Sequence, residues 1–199
     1  MGITSYLPAV PSLCLGTAEI SLFEMTGAYS TFANSGIYME PYFVSRIEDK
    51  NGVVIETFTN SPKEILSEDK NIVMVKLLQG VINRGSGSRL RWKYKMNNEI
   101  AGKTGTTQNH SDGWFIGFVP DLVTGVWTGA DNRAVRFRDL KLGQGAQMAL
   151  PIWGEYMNSL YSDSLIELSK ARFEIPKNSN NITLDLSLIH ISEPTRPRI

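Results

Sequence analysis

From Ile100 to Phe115 the chain reads I-A-G-K-T-G-T-T-Q-N-H-S-D-G-W-F, and this stretch limits the fold more than any other. Glycine and β-branched threonine crowd positions 104 to 107. Both are poor helix formers, and threonine sits well at the edge of a sheet. A strand is therefore expected here, with a sheet around it. Side chains alternate faces along a strand, so Lys103 and Gly105 should point one way and Thr104 and Thr106 the other. Twist or a bulge near Gly105 would turn the hydroxyls towards a common ligand, and Gly105 lets another backbone or a ligand approach closely. One fixed cation beside two hydroxyl donors suits a small carboxylate, and a free N–H nearby would face a developing oxyanion.

Gly102-Lys103-Thr104 also ends like a phosphate-binding P-loop, G-x-x-x-x-G-K-[ST]. That pattern needs a glycine at position 97, where this chain has Asn97. It also needs a helix to open at the lysine, and Gly105-Thr106-Thr107 opposes one. The other use of K-T-G is in serine acyl-transfer enzymes, beside S-x-x-K and S-D-N. Here it stands within A-G-K-T-G-T-T and is followed by S-D-G-W-F-I-G-F-V-P, a far more specific run.

With 199 residues and 42% hydrophobic content, the chain is long enough to bury a sizeable core. Basic and acidic residues number 20 each, so net charge gives no case for nucleic acid or an anionic membrane surface. The single Cys14 excludes an internal disulfide, and in S-L-C-L-G it is expected to be a small buried hydrophobe. No apolar run reaches the ~18 residues of a membrane span, and no export signal pattern opens the chain.

Before the central strand, Met1 to Gly16 holds Pro8, Pro11 and Gly16 and is expected to be irregular. Ser21 and Glu24 form a capping box, and Leu22, Met25, Tyr29, Phe32 and Ala33 recur at helical spacing up to Gly36. Tyr29 and Phe32 are expected in the core rather than stacked on a ligand. Asn51-Gly52 between two strand-like runs, 42–48 and 53–58, predicts a hairpin with Asp49 and Lys50 solvated at its tip. Ser67-Glu68-Asp69-Lys70 matches S-x-x-K by letters. Acid in the first turn and Ile72, Val75, Leu78, Gln79 and Ile82 along one face make Ser67 a helix N-cap instead. Gly85-Ser86-Gly87-Ser88 ends that helix. Arg84, Arg89, Arg91, Lys93 and Lys95, interleaved with Trp92 and Tyr94, are expected to form a solvated basic face beside the site. Beyond the central stretch, 114–119 and 122–128 predict two strands turning at Pro120-Asp121. Asp112 is expected to fix a turn by bonding backbone N–H groups, and His110 to be a solvated loop residue. Gly143-Gln144-Gly145 leads into a last helix, with Pro151 near its start and Met148, Ile152, Trp153, Tyr156, Met157 and Leu160 facing a sheet.

Residues 178–199 differ from the rest. Ile182, Leu184, Leu186 and Leu188 alternate like a strand, and Ser187 to Ile199 resembles the translation of a sequencing adaptor. The organised region is expected to span 1–177. Ser179-Asn180-Asn181 fits S-x-N only by letters, and His190 is given no role.

Four runs, L-G-T-A-E-I-S-L-F-E-M-T-G-A-Y-S-T-F-A-N-S-G at 15–36, A-G-K-T-G-T-T at 101–107, D-G-W-F-I-G-F at 112–118 and V-W-T-G-A-D at 126–131, together resemble one family. From Gly2 to about Pro176 the chain resembles the C-terminal half of the transpeptidase domain of bifunctional, class A penicillin-binding proteins. The resemblance implies an α+β fold, part of the penicillin-binding (β-lactamase-like) transpeptidase fold: a mainly antiparallel sheet flanked by helices, with the K-T-G strand edging the cleft. It implies serine acyl transfer that cross-links peptidoglycan stem peptides, blocked by β-lactams, without metal or organic cofactor. Lys103 then helps bind substrate and orders the proton network. Thr104 and Thr106 hold the terminal carboxylate, Gly105 gives close approach, and the Thr106 N–H is one oxyanion donor. The nucleophilic serine of the family is not matched in this chain, so the chain alone is expected to be inactive, with the apolar faces of its first two helices short of partners. The parent is expected to be anchored on the periplasmic side of the cytoplasmic membrane and to carry a glycosyltransferase domain. Two alternatives share the fold: a non-catalytic β-lactam or muropeptide sensor, and a β-lactamase or carboxypeptidase.

Overall fold

The computed structural model describes residues 1–166, 168 and 170–175. The tail 178–199, with its 182–188 alternation, Ser179-Asn180-Asn181 and His190, lies outside the described residues.

An irregular N-terminal segment with one short 3-10 turn (Pro11–Leu15) leads to helix α1 (Leu22–Ala33). Cys14 in that turn is exposed, contrary to the buried position expected from its apolar neighbours. The capping box is present: Ser21 Oγ accepts the Glu24 N–H at 3.2 Å, and the Glu24 carboxylate accepts the Ser21 N–H at 3.3 Å. Strand β1 (Ile37–Tyr38) precedes the expected hairpin of β2 (Arg46–Glu48) and β3 (Val54–Thr57), and β4 (Lys63–Glu64) returns to pair with β1. Asp49 at the hairpin tip does more than face water. Its Oδ1 accepts the N–H groups of Asn51 and Val53 at 2.8 and 2.9 Å, which holds its carboxyl below the ordinary carboxylate value.

Helix α2 (Glu68–Arg84) follows, with Ser67 at its N-cap position but without a side-chain capping bond. A single turn, α3 (Arg89–Trp92), leads to the main sheet of β5 (Ala101–Thr106), β6 (Asp112–Val119) and β7 (Leu122–Gly129). This sheet is antiparallel, in the order β5-β6-β7. The turn α4 (Leu140–Gly143) and helix α5 (Gly145–Ser162) complete the described elements.

The sheet is covered on both faces, and strand alternation on β6 shows how. Phe115 turns to α5, where its ring meets Trp153 edge to face at 5.3 Å. Phe118, of opposite parity, turns to α1 and meets Tyr29 at 6.4 Å and Phe173 at 5.5 Å. One core therefore joins Ile82, Leu90, Ile100, Phe115, Val119, Leu150, Trp153 and Met157. The other joins Ile72, Val75, Leu78, Ala101 and Phe118, with Tyr29 and Phe32 packed against it. Each fully buried side chain of this size contributes about 1.5–3 kcal/mol. The apolar faces of α1 and α2 are thus covered by the sheet, contrary to the expectation that they lack partners.

Helix α5 lies close against the sheet. A Cβ on Gly113 would fall 2.9 Å from Gly145 Cα, and one on Gly117 would overlap the Trp153 ring. Small residues let the helix axis approach, and the face it buries is Ala149, Leu150, Trp153, Gly154 and Met157. Ile152 and Tyr156, expected to face the sheet, are exposed. Pro151 also falls well inside the helix rather than near its start, so the Gln147 carbonyl loses the N–H it would otherwise accept.

Candidate active site

β5 is an edge strand, laddered only to β6 among the described strands. Its register pairs Lys103 with Ile116, Thr104 with Phe115, Gly105 with Trp114 and Thr106 with Gly113. Partners across a ladder share a face. Thr104 and Thr106 therefore lie on the α5 face, and Lys103 and Gly105 on the α1–α2 face, as the alternation predicts. The same ladder fixes the backbone. Thr107 N donates to Asp112 O at 3.3 Å, so the Thr106–Gly113 pair is of the non-hydrogen-bonded kind. By alternation, the N–H and C=O of Thr104 and Thr106 turn away from β6, towards the open edge.

Each side chain of the motif is held differently. Thr106 Oγ1 accepts the Gly145 N–H at 3.0 Å, which ties the end of β5 to the first residue of α5 and leaves the hydroxyl hydrogen free to donate. A side chain at Gly145 would overlap the Gly105 carbonyl, so this junction requires glycine. Thr104 Oγ1 lies 2.6 Å from Ser86 Oγ, on the loop after α2. Lys103 Nζ folds back along the edge and donates to Thr104 O at 2.8 Å. Desolvation by its neighbours lowers its ammonium below the ordinary lysine value of 10.5. At Gly105 a Cβ would stand 3.0 Å from Trp114 Cβ, a tight fit even for alanine.

Other sequence candidates fall away from this edge. Ser86, just past the C-terminal end of α2, touches Thr104, whereas Ser67 opens the same 17-residue helix. At 1.5 Å rise per residue that separates Ser67 from the Thr104 end by about 25 Å. The turn before β6 is held by Thr107, not by the Asp112 carboxylate: Asp112 N donates to Thr107 Oγ1 at 3.1 Å, and Thr107 Oγ1 lies 3.0 Å from Ser111 Oγ. Asp112 Oδ1 is buried without a hydrogen-bond partner among the described residues. His110 is half-buried rather than solvated, so close to Gly143 that a Cβ there would overlap it. The basic run is also less of a solvated face than expected. Arg91 donates to Met96 O at 2.6 Å, to Asn98 O at 2.7 Å and to Asn83 Oδ1 through two of its nitrogens. Arg89 donates to Gln147, and Tyr94 is buried in the core.

The edge therefore presents two outward backbone amides, two threonine hydroxyls and one ammonium along a single strand. That set can receive a carboxylate and an oxyanion. Sequence reasoning missed Ser86, Gly145 and Thr107. Gly143-Gln144-Gly145 before a helix was a usable signal for the second, whereas nothing local marks Ser86 as a neighbour of Thr104. Among the described residues, no group of three or more His, Cys, Asp or Glu side chains is placed to hold a metal ion. No helix among them is long and apolar enough to cross a membrane.

Comparison with known proteins points one way. The family profile described as the penicillin binding protein transpeptidase domain matches residues 9–133. Penicillin-binding protein 1A of Aquifex aeolicus is 35% identical over 176 residues, which cover 87% of this chain and 23% of that protein. Penicillin-binding protein 2D of Bacillus subtilis is 33% identical over 204 residues, covering 97% and 27%. The chain thus spans about a quarter of the length of the curated relatives it matches. Among solved structures, penicillin-binding protein 1A from Haemophilus influenzae superposes with a TM-score of 0.74 at 23% identity, over 85% of this chain and 30% of that one. That likeness shows the fold.

Proposed function

This chain belongs to the penicillin-binding protein transpeptidase family, and from that premise we propose that residues 1–177 form the C-terminal part of a D-Ala-D-Ala transpeptidase domain. The parent protein cross-links peptidoglycan stem peptides by serine acyl transfer and is acylated by β-lactams. The observation that carries the proposal is the open β5 edge with Lys103, Thr104 and Thr106 on it.

On this account the Thr104 and Thr106 hydroxyls receive the terminal carboxylate of the stem peptide or of a β-lactam. Thr106 is already positioned as a donor, because its oxygen is occupied by the Gly145 N–H. Its own backbone N–H, turned to the open edge, is one donor to the tetrahedral oxyanion. Lys103 adds the fixed positive charge, and its lowered proton affinity suits a member of a proton-transfer network. Gly105 keeps the strand surface low enough for substrate to lie along it. On this reading the nucleophilic serine comes from elsewhere in the parent, because Ser67, the S-x-x-K match, stands at the far end of α2 from Thr104. The chemistry calls for neither a metal nor an organic cofactor. Substrate and nucleophile meet on the periplasmic side of the cytoplasmic membrane, in a parent that is membrane-anchored and also carries a glycosyltransferase domain.

The test is acylation by benzylpenicillin in the full-length parent. Thr104→Val removes the hydroxyl and little volume. A hydrogen bond to a charged group is worth about 1.5–3 kcal/mol, so the acylation rate should fall roughly ten- to hundredfold. An unchanged rate in a folded variant would remove Thr104 from the site. Turnover of the bound penicillin by the wild-type parent would favour a hydrolase instead.

A further inference from the structure

We infer that Ser86 is a positioning residue for the carboxylate clamp, acting through Thr104. The inference rests on the reading of Thr104 given above.

The contact is between two hydroxyls: Ser86 Oγ and Thr104 Oγ1 are 2.6 Å apart. Each hydroxyl owns one hydrogen to donate. Their mutual bond uses one, so one hydrogen of the pair remains for a third group. If Ser86 donates, Thr104 must aim its hydrogen elsewhere, with its oxygen already occupied. If Thr104 donates, Ser86 itself carries the outward hydrogen. Either way the pair offers one oriented donor where a lone threonine would offer a freely rotating one. An anion at the strand edge is the acceptor that gains most from such pre-orientation.

The loop that carries Ser86 is built to hold it there. Val81 O accepts both the Gly85 N–H at 3.1 Å and the Gly87 N–H at 3.0 Å, and Gly85 O accepts the Ser88 N–H at 3.1 Å. Ser86 is thus set between two residues pinned to one carbonyl. A side chain at Gly85 would collide with the α2 backbone, and one at Gly87 would crowd the buried Ile82. A Cβ on Gly85 would sit 2.9 Å from Val81 Cα, and one on Gly87 would sit 2.7 Å from Ile82 Cδ1. Ile82 is itself fully buried, so this loop is anchored to the core while Ser86 remains exposed at the strand edge. Arg89, one turn further on, donates to Ala146 O and to Gln147 on α5, so the loop is also braced against that helix.

The test compares acylation of the full-length parent by benzylpenicillin and by its methyl ester, which lacks the carboxylate. Ser86→Ala should slow acylation by the acid about three- to tenfold and leave the rate with the ester unchanged. Ser86→Thr, which keeps a hydroxyl, should restore the rate with the acid. Thr104→Val is the reference. If Thr104→Val discriminates acid from ester and Ser86→Ala does not, the role of Ser86 is overturned while the clamp stands. If Thr104→Val fails to discriminate, the clamp itself falls. An equal loss with acid and ester in Ser86→Ala marks a purely structural loop and also overturns the inference.

Discussion

At the scale of residues, the central motif works through what each side chain is denied as much as what it is given. Lys103 is partly stripped of water, and its ammonium lies below 10.5. On the proposed reading, the charge that attracts a carboxylate is present below that lowered value and lost as pH rises through it. Acylation by benzylpenicillin should begin to fall at a pH below 10.5. Lys103→Arg, which keeps its charge, should move that alkaline fall upward even where its overall rate is lower. A pH–rate profile with the same alkaline limb in both proteins would contradict the role of Lys103. Gly145 is the second sharp case. Any Cβ there overlaps the Gly105 carbonyl, so Gly145→Ala must push α5 off β5. Overpacking of this kind costs about 1–3 kcal/mol, readable as a lower melting temperature. The Lys103–Thr106 alternation was legible in the sequence because strand period depends on local chemistry alone. Ser86 was not, because its contact with Thr104 joins a loop to a strand through the fold.

Elements show the same division. The capping box at Ser21 and Glu24, the Asn51-Gly52 hairpin, and the β6–β7 hairpin were all readable from short-range signals. The buried face of α5 was not. Gly113, Gly117 and Gly145 let that helix approach until Ala149 and Leu150 rather than Ile152 and Tyr156 meet the sheet. A pattern of large apolar residues cannot reveal a face chosen by small ones. Glu24 carries an element-scale prediction. Its carboxylate caps α1 and also accepts the Thr4 and Ser5 N–H groups, each at 2.8 Å, and both their hydroxyls. These bonds, that from the Ser5 hydroxyl first, hold its carboxyl well below the ordinary value of 4.5. A depressed carboxyl stabilises above its unfolded value and loses that stabilisation as pH falls through its folded one. Glu24→Gln should speed amide exchange at Thr4 and Ser5 at pH 7. The gap from wild type should close under acid conditions, below 4.5. Equal exchange in both proteins at pH 7 would show that Glu24 does not anchor the N-terminal segment.

For the whole molecule, what sets β5 apart is its place at the edge of the main sheet. The described fold covers both faces of the sheet and leaves the outer edge of β5 without a ladder partner among the described strands. Apolar surface is left exposed elsewhere, on Leu7, Val10 and Leu15 and on Phe43, Ile47, Val53 and Ile55 around the β2–β3 hairpin. Exposed apolar surface of this extent favours association, so the 199-residue chain in isolation should bind a hydrophobic dye and show limited solubility. On the proposed reading, this chain supplies the carboxylate and oxyanion wall of an acyl-transfer site, and the nucleophile comes from elsewhere in the parent. Intact-protein mass spectrometry after incubation with benzylpenicillin tests it directly, on the full-length parent, on the isolated chain and on the isolated chain with Ser67→Ala. One covalent adduct is expected on the parent and none on the isolated chain. A stoichiometric adduct on the isolated chain that vanishes in the Ser67→Ala variant would contradict it, because the nucleophile would then stand at the head of α2.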